Sequence, residues 1–133
     1  MDKEKILEAA RSMLGREYKF GAKWPLDNLD PEGPIDCSGF VRWCFAVGGK
    51  KIPDGSYEQY RASRELNNIR GERPNPCDLG FFLRQGVAHH VGILEDDYWV
   101  LEARGKPYER VIRRPRAKWE AFHEFSGWRR IDA

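Results

Sequence analysis

Three cysteines and three histidines are the side chains of this 133-residue chain best suited to covalent catalysis. Cys37 stands apart by position. It lies in Pro34-Ile35-Asp36-Cys37-Ser38-Gly39-Phe40-Val41-Arg42-Trp43-Cys44-Phe45, where a loop rich in Pro, Gly and Asp gives way to an apolar run. Cys37, Phe40, Val41, Cys44 and Phe45 follow the i, i+3, i+4, i+7, i+8 stripe of a helix face packed on a core. The spacing predicts a helix to about Val47, stopped by Gly48-Gly49. Cys37 then falls in the first turn, where unpaired N–H groups and the positive end of the helix dipole favour an anion. A thiolate in such a place is a usable nucleophile at neutral pH. Free cysteine is also among the most buried residue types, and the helix argument alone does not separate the two readings. Cys44 lies two turns along the same face among Phe40, Val41 and Phe45 and reads as core. Cys77 sits in a Pro-Asn-Pro-Cys-Asp turn with no base nearby in sequence.

A cysteine nucleophile needs a base, and the base needs an orienting partner. His89 and His90 open an apolar run, His89 to Leu94, and strand alternation turns them to opposite faces. His90 shares its face with Gly92 and Leu94, and a glycine at that spacing leaves room for a backbone or a ligand to approach. His123, beside Phe122 in a late helical stretch, reads as structural or surface.

The elements that must position these groups follow from the pattern. Lys3 to Leu14 reads as an amphipathic helix with Ile6, Ala9, Ala10, Met13 and Leu14 on one side. Ala22 to Pro34 holds three prolines and reads as a long loop able to wall a cleft. Ser56 can cap a helix over about Tyr57 to Leu66. From Leu79 the period shifts to strands: Leu79 to Leu83, Val91 to Leu94, Trp99 to Ala103, Arg110 to Arg113 and Gly127 to Ile131, with a short helix at Lys118 to Phe122. Helices first and short adjacent strands afterwards predict an α+β domain, residues 1–133, with a mainly antiparallel sheet.

Composition agrees with an ordinary globular chain: 41% hydrophobic, 33% charged, net charge +2. Three irregularly spaced cysteines make no disulfide framework, and no Cys or His pair has metal-site spacing, so neither a metal nor another cofactor is expected. Residues 101–133 carry 9 Lys/Arg against 5 Asp/Glu. Arg113, Arg114, Arg116, Arg129 and Arg130 fall around strands and a short helix, which favours a solvated face or contacts to an acidic substrate over nucleic acid. The N-terminus has no apolar signal core and no segment is long enough to cross a bilayer, which predicts synthesis in the cytoplasm and no membrane partner.

Taken in order, Asp36-Cys37-Ser38-Gly39-Phe40-Val41, Asp78-Leu79-Gly80-Phe81-Phe82 and His90-Val91-Gly92-Ile93 resemble the signature blocks of the NlpC/P60 cysteine peptidases. Tyr18-Lys19-Phe20-Gly21, Ser56-Tyr57-Glu58-Gln59-Tyr60 and Gly127-Trp128-Arg129-Arg130 are similar to flanking blocks of the same family. The resemblance implies a papain-like fold and hydrolysis of peptidoglycan stem peptides, typically between γ-D-glutamyl and the diamino acid. It makes Cys37 the nucleophile, His90 the base, and Tyr18 and Ser38 oxyanion or substrate-binding residues. The family's third polar residue, usually His, Asn or Gln, falls at Glu102, whose carboxylate can accept the imidazole Nδ1–H or pair with Arg104. Cys77 stands where the family has Gly, and the loop from Gly21 to Asp36 is longer than the family commonly shows. With no wall-binding repeat or lipobox, the chain is similar to phage or prophage enzymes that reach the wall by lysis or in a virion, and a monomer is expected. The alternatives are an amidase or acyltransferase with the same thioester chemistry, a non-catalytic wall-peptide or tail-assembly module, and a metal site from Cys37, Cys77, His89 and His90.

Overall fold

Asp36 decides where the central helix begins. In a computed structural model describing residues 1–133, its carboxylate accepts from Gly39 N at 2.7 Å and caps helix α2, Cys37–Val47. Gly39 is required beneath that cap. A Cβ there would stand 2.8 Å from Asp36 Oδ1 and 2.9 Å from the side chains of Ile35 and Lys23. Phe40, Val41, Trp43, Cys44 and Phe45 are all buried, which accounts for the unbroken apolar run. Helix α1, Lys3–Ser12, is capped by Asp2 and lays Ile6, Ala9 and Ala10 on α2. Gly48 lets the two come close, since a Cβ on it would run into Ile6.

Helix α3 spans Ser56–Ala62, with Gly55 as its N-cap. The strands are β1 (Arg64–Glu65), β2 (Leu79–Arg84), β3 (Val87–Leu94), β4 (Trp99–Arg104), β5 (Arg110–Pro115) and β6 (Phe125–Arg130), with helix α4 (Arg116–Ala121) before the last. They form one sheet, β1-β6-β2-β3-β4-β5, antiparallel throughout. The predicted α+β architecture is therefore present.

Alternation along the strands splits the core. Phe81, Val91, Ile93, Leu101 and Ala103 face α1 and α2, while Phe82, Leu94 and Val100 meet Trp119 and Trp128 on the opposite face. Gly80 and Gly92 sit opposite one another in the β2–β3 register, and a Cβ on either would press on the Trp119 ring, at 3.0 and 2.7 Å. The space beside His90 thus belongs to this tryptophan and not to an approaching backbone.

Three expectations need correction. Ser56 is not a cap; its hydroxyl donates to the Ala88 carbonyl at 3.2 Å, and Gly55 takes the turn at φ 86°. The helix predicted to Leu66 ends at Ala62, because Ser63 is extended and Arg64–Glu65 pairs with β6. The loop from Ala22 to Pro34 does wall a cleft, of about 430 Å³, where Leu26 and Asp27 face Ala46 and Lys50, but it does not line the one beside His90. It is drawn along α2: Trp24 packs edge-on against Trp43 at 5.2 Å, Trp24 Nε1 donates to Gly33 O, and Trp43 Nε1 donates to Asn28 O. The late arginines are mostly committed inside the molecule. Arg113 and Arg11 both bond the buried Glu95 at 2.6 Å, Arg116 holds Glu120, and Arg130 spans Asp78 and Glu72.

Cys77, in the glycine position of the family pattern, has φ 75°. The left-handed backbone explains why glycine suits this turn. The Cys77 thiol points to Lys3 O at 3.5 Å, away from any base, and burial pushes its pKa up to about 12.

Candidate active site

Cys37 occupies the first position of α2, partly buried, with a backbone N–H that the helix itself cannot satisfy. Beneath it, Lys23 ties the N-terminus together. Its ammonium lies 2.7 Å from Asp36, 3.0 Å from Ser38 Oγ and 2.8 Å from Asp54. Burial alone would lower the Lys23 pKa, but these carboxylates raise it, so the lysine stays charged. Ser38 is buried in this network, and its carbonyl accepts from Gln59 Nε2 at 2.9 Å. A hydroxyl held there supports the helix start, one residue from Cys37.

His90 reaches the thiol from β3. The strand carries a bulge here: Phe82 pairs with His90 and Leu83 with Ala88, leaving His89 without a partner. Strands β3 and β4 are in register at Ile93↔Leu101 and Leu94↔Val100, and the imidazole lies past the end of that pairing. Its Nε2 is 2.7 Å from Glu102 Oε1. The nitrogen left free for Cys37, whose proximity raises the His90 pKa, is Nδ1. The carboxylate therefore holds the imidazole by the nitrogen opposite to the one expected from sequence, because the ring edge nearer its own backbone is turned to the thiol.

Glu102 is fully buried and has three donors: His90, Trp119 Nε1 at 2.6 Å on the other oxygen, and Arg104 at 3.2 Å. Burial would raise its pKa, but the His90 and Trp119 bonds and the Arg104 charge bring it below the usual carboxylate value. An ionised carboxylate then acts back on the imidazole. Burial pushes His90 down, while hydrogen bonds and charges from Cys37 and Glu102 outweigh it and raise the pKa to about 9. The ring is also flanked by Phe82 at 5.4 Å and Trp119 at 5.6 Å between centroids.

Tyr18 enters from the other side. The segment before α2 is pinned by bridges Tyr18↔Ile35 and Glu17↔Arg110, and the Tyr18 ring rests on Gly105, where a Cβ would stand 3.2 Å away. Partial burial, then the charges of Cys37 and Asp36, raise the phenol pKa, so its O–H is kept as a donor near the sulfur. A cleft of about 300 Å³ opens here, lined by Tyr18, Phe82, His90, Arg104, Lys106 and Phe122 among others.

His89 and His123 lie outside this group. His89 pairs with Glu124 at 2.7 Å on the surface, and His123 stacks its ring edge on Phe122. No three His, Cys, Asp or Glu side chains gather as a metal site. Sequence reasoning missed Lys23 and Trp119. Lys23 has no distinctive local signal. Trp119 left one: a facing glycine pair in adjacent strands, Gly80 and Gly92, which makes a hole that a large side chain must fill.

The sequence profile of the NlpC/P60 family matches residues 15–123. The chain belongs to the NlpC/P60 family. Among relatives, it is 32% identical over 108 residues to the peptidoglycan endopeptidase RipB of Mycobacterium tuberculosis, covering 77% of this chain and 43% of RipB. It is 28% identical to the probable endopeptidase p60 of Listeria innocua, over 80% of this chain and 21% of that protein. The chain thus spans about a fifth of the Listeria protein to which it is similar. The solved structure of the peptidoglycan hydrolase RipB covers 98% of this chain and 65% of its own, with a TM-score of 0.78 and 27% identity. An NlpC/P60 family protein from Bacillus cereus superposes with a TM-score of 0.80 at 24% identity, which speaks to the fold.

Proposed function

We propose that this NlpC/P60 domain is a cysteine endopeptidase that cleaves peptidoglycan stem peptides between γ-D-glutamyl and the diamino acid, acting at the cell wall. The observation that carries the reading is the imidazole of His90, held at 2.7 Å by a fully buried Glu102 and close enough to Cys37 for the thiol to raise its pKa. His90 takes the thiol proton and Cys37 attacks the γ-carbonyl. The oxyanion that forms accepts hydrogen bonds from Cys37 N–H and the Tyr18 hydroxyl, each worth about 2.7–4 kcal/mol by analogy with oxyanion-hole donors generally. His90 then passes its proton to the departing amine, leaving a γ-glutamyl thioester. In the second half His90 activates water against the thioester and the thiol is restored. Glu102 fixes the ring and favours imidazolium throughout.

The test is digestion of purified sacculi, with mass spectrometry of the released fragments. The reading requires new γ-D-glutamyl carboxyl ends and free amines on the diamino acid. Activity must persist in chelator and stop with iodoacetamide. Retention on sacculi with no new ends would mean a binding module, and new ends at another bond would mean an amidase or acyltransferase.

A further inference from the structure

Arg104, Arg110, Arg113, Arg116, Arg129 and Arg130 each donate a hydrogen bond to a carboxylate, carbonyl or hydroxyl oxygen of the protein. Arg114 donates none. Its guanidinium lies over the Tyr108 ring, 5.6 Å from the centre, with Arg104 at 5.7 Å from the same ring. The half-buried fork of Arg114 and the exposed ammonium of Lys118, from α4, both line a cleft of about 510 Å³ whose other walls include Tyr108, Ile112 and Pro115. Lys118 has no carboxylate either, because Glu120, two residues on, is taken by Arg116 at 3.0 Å and by Trp128 Nε1 at 2.7 Å. Arg110 shares the Arg114 face of β5, about 13 Å away at about 3.3 Å per residue, so cations recur along the strand. None of the side chains lining this cleft lines the one beside His90.

From this arrangement we infer a second binding site, for a phosphodiester-linked polyol chain, in which Arg114 and Lys118 share one phosphate and Arg110 takes a neighbouring one. A carboxylate has two oxygens in one plane, and a single guanidinium fork satisfies both. A tetrahedral phosphate presents oxygens in more than one direction, so a fork and an ammonium from different elements can hold it together. Ile112 and Pro115 offer apolar surface to the carbon chain between phosphates. Single-stranded nucleic acid needs open aromatic faces on which bases stack, and the one ring here, Tyr108, is already flanked by two guanidiniums. The choice of a polyol chain as the remaining phosphodiester polymer rests on the peptidase reading above, which places the domain at a wall.

The probe is a synthetic glycerol phosphate oligomer with a fluorescent end label, compared by anisotropy at fixed salt with oligothymidylate and oligo-γ-glutamate of equal charge. Wild type should bind the glycerol phosphate oligomer at least about tenfold tighter than either, the scale of one charge-assisted hydrogen bond. Arg114→Gln should weaken that binding about tenfold and Lys118→Gln about threefold. Lys50→Gln, which removes the same charge just beyond the end of α2, should change it less than about twofold. No binding by wild type, equal affinity for either other oligomer, an unchanged affinity in Arg114→Gln, or an equal loss in Lys50→Gln would overturn the inference. If Arg114→Gln melts at a lower temperature than wild type, Lys118→Gln, at an exposed helix position, decides in its place. The assay involves no turnover, so the two readings fail separately: a domain that binds the oligomer and leaves sacculi uncut keeps the site and loses the peptidase.

Discussion

Two histidines stand side by side in β3, each 2.7 Å from a glutamate, in very different surroundings. His89 sits on the outside of a bulge, its glutamate shared with Arg84 and its ring 34% exposed. His90 is 12% exposed, between two aromatic rings, and its glutamate has no exposure at all. An ion pair in water gains little, because solvent competes for both partners and salt screens them. The same pair in a dry site, with its carboxylate satisfied by two further donors, holds its geometry and shifts the imidazole pKa. The lesson is that the pairing distance carries no functional information here. The surroundings of the glutamate carry it.

The comparison breaks most sharply by deleting each ring. His90→Ala should lower kcat/KM by about a thousandfold or more, close to the loss in Cys37→Ala, since members of one catalytic unit are far from additive. His89→Ala should stay within a few-fold of wild type. An active His90→Ala would remove the base from this reading.

The glutamates sharpen it next. Glu102→Ala leaves a cavity and an unheld imidazole, and should cost about a hundredfold in kcat/KM. Glu102→Gln should retain more activity and move the alkaline limb of the pH profile to lower pH, because the imidazolium loses the anion that raises its pKa towards about 9. That limb is a property of the coupled thiol and imidazole together. Glu124→Gln should leave the limb in place, and a shift of equal size there would show that the buried pair is not special.

A smaller effect comes from the indole. Trp119→Phe keeps most of the packing but removes the donor to Glu102 Oε2, and should cost about 1–3 kcal/mol of stability with roughly a tenfold loss of rate. Thermal unfolding and steady-state kinetics on one preparation would measure both.

The mildest effect is thermodynamic. The folded-state pKa of His90 lies above the value near 6.5 of an unfolded histidine, so its protonated form stabilises the fold fully below about 6.5. That contribution is lost as pH rises through about 9. Melting temperature should fall across this window in wild type and in His89→Ala, and fall less in His90→Ala.

How far the site could be read in advance depends on the range of the interactions that make it. Cys37 in the first turn was legible because the stripe from Phe40 to Phe45 marks the buried face, whereas the Asp36 cap and the close approach at Gly39 emerged only in the structure. Glu102 was legible as a partner of His90 because β3 and β4 are neighbours, but the choice of ring nitrogen was not. That choice depends on where the strands part company. The burial of Ser38 was not legible because it depends on Lys23, 15 residues earlier in a loop of no regular pattern. The path of the loop was not legible because what anchors it is a pair of tryptophans, one on each side of a long break in periodicity.

The facing glycines of β2 and β3 have a practical consequence. Together with Phe82, Val100 and Trp128 they form a mould whose only occupant is one indole, and that indole belongs to a six-residue helix well removed in sequence from the catalytic blocks. Truncating Trp119 to alanine would empty the mould and free one oxygen of Glu102 while leaving Cys37, His90 and Glu102 in the chain, and empty apolar cavities take up small aromatic molecules. Free indole brings back both the packing and the N–H that Glu102 accepts. The mould therefore gives this domain a place for a chemical on-switch, operated by a diffusible molecule in place of a covalently attached side chain.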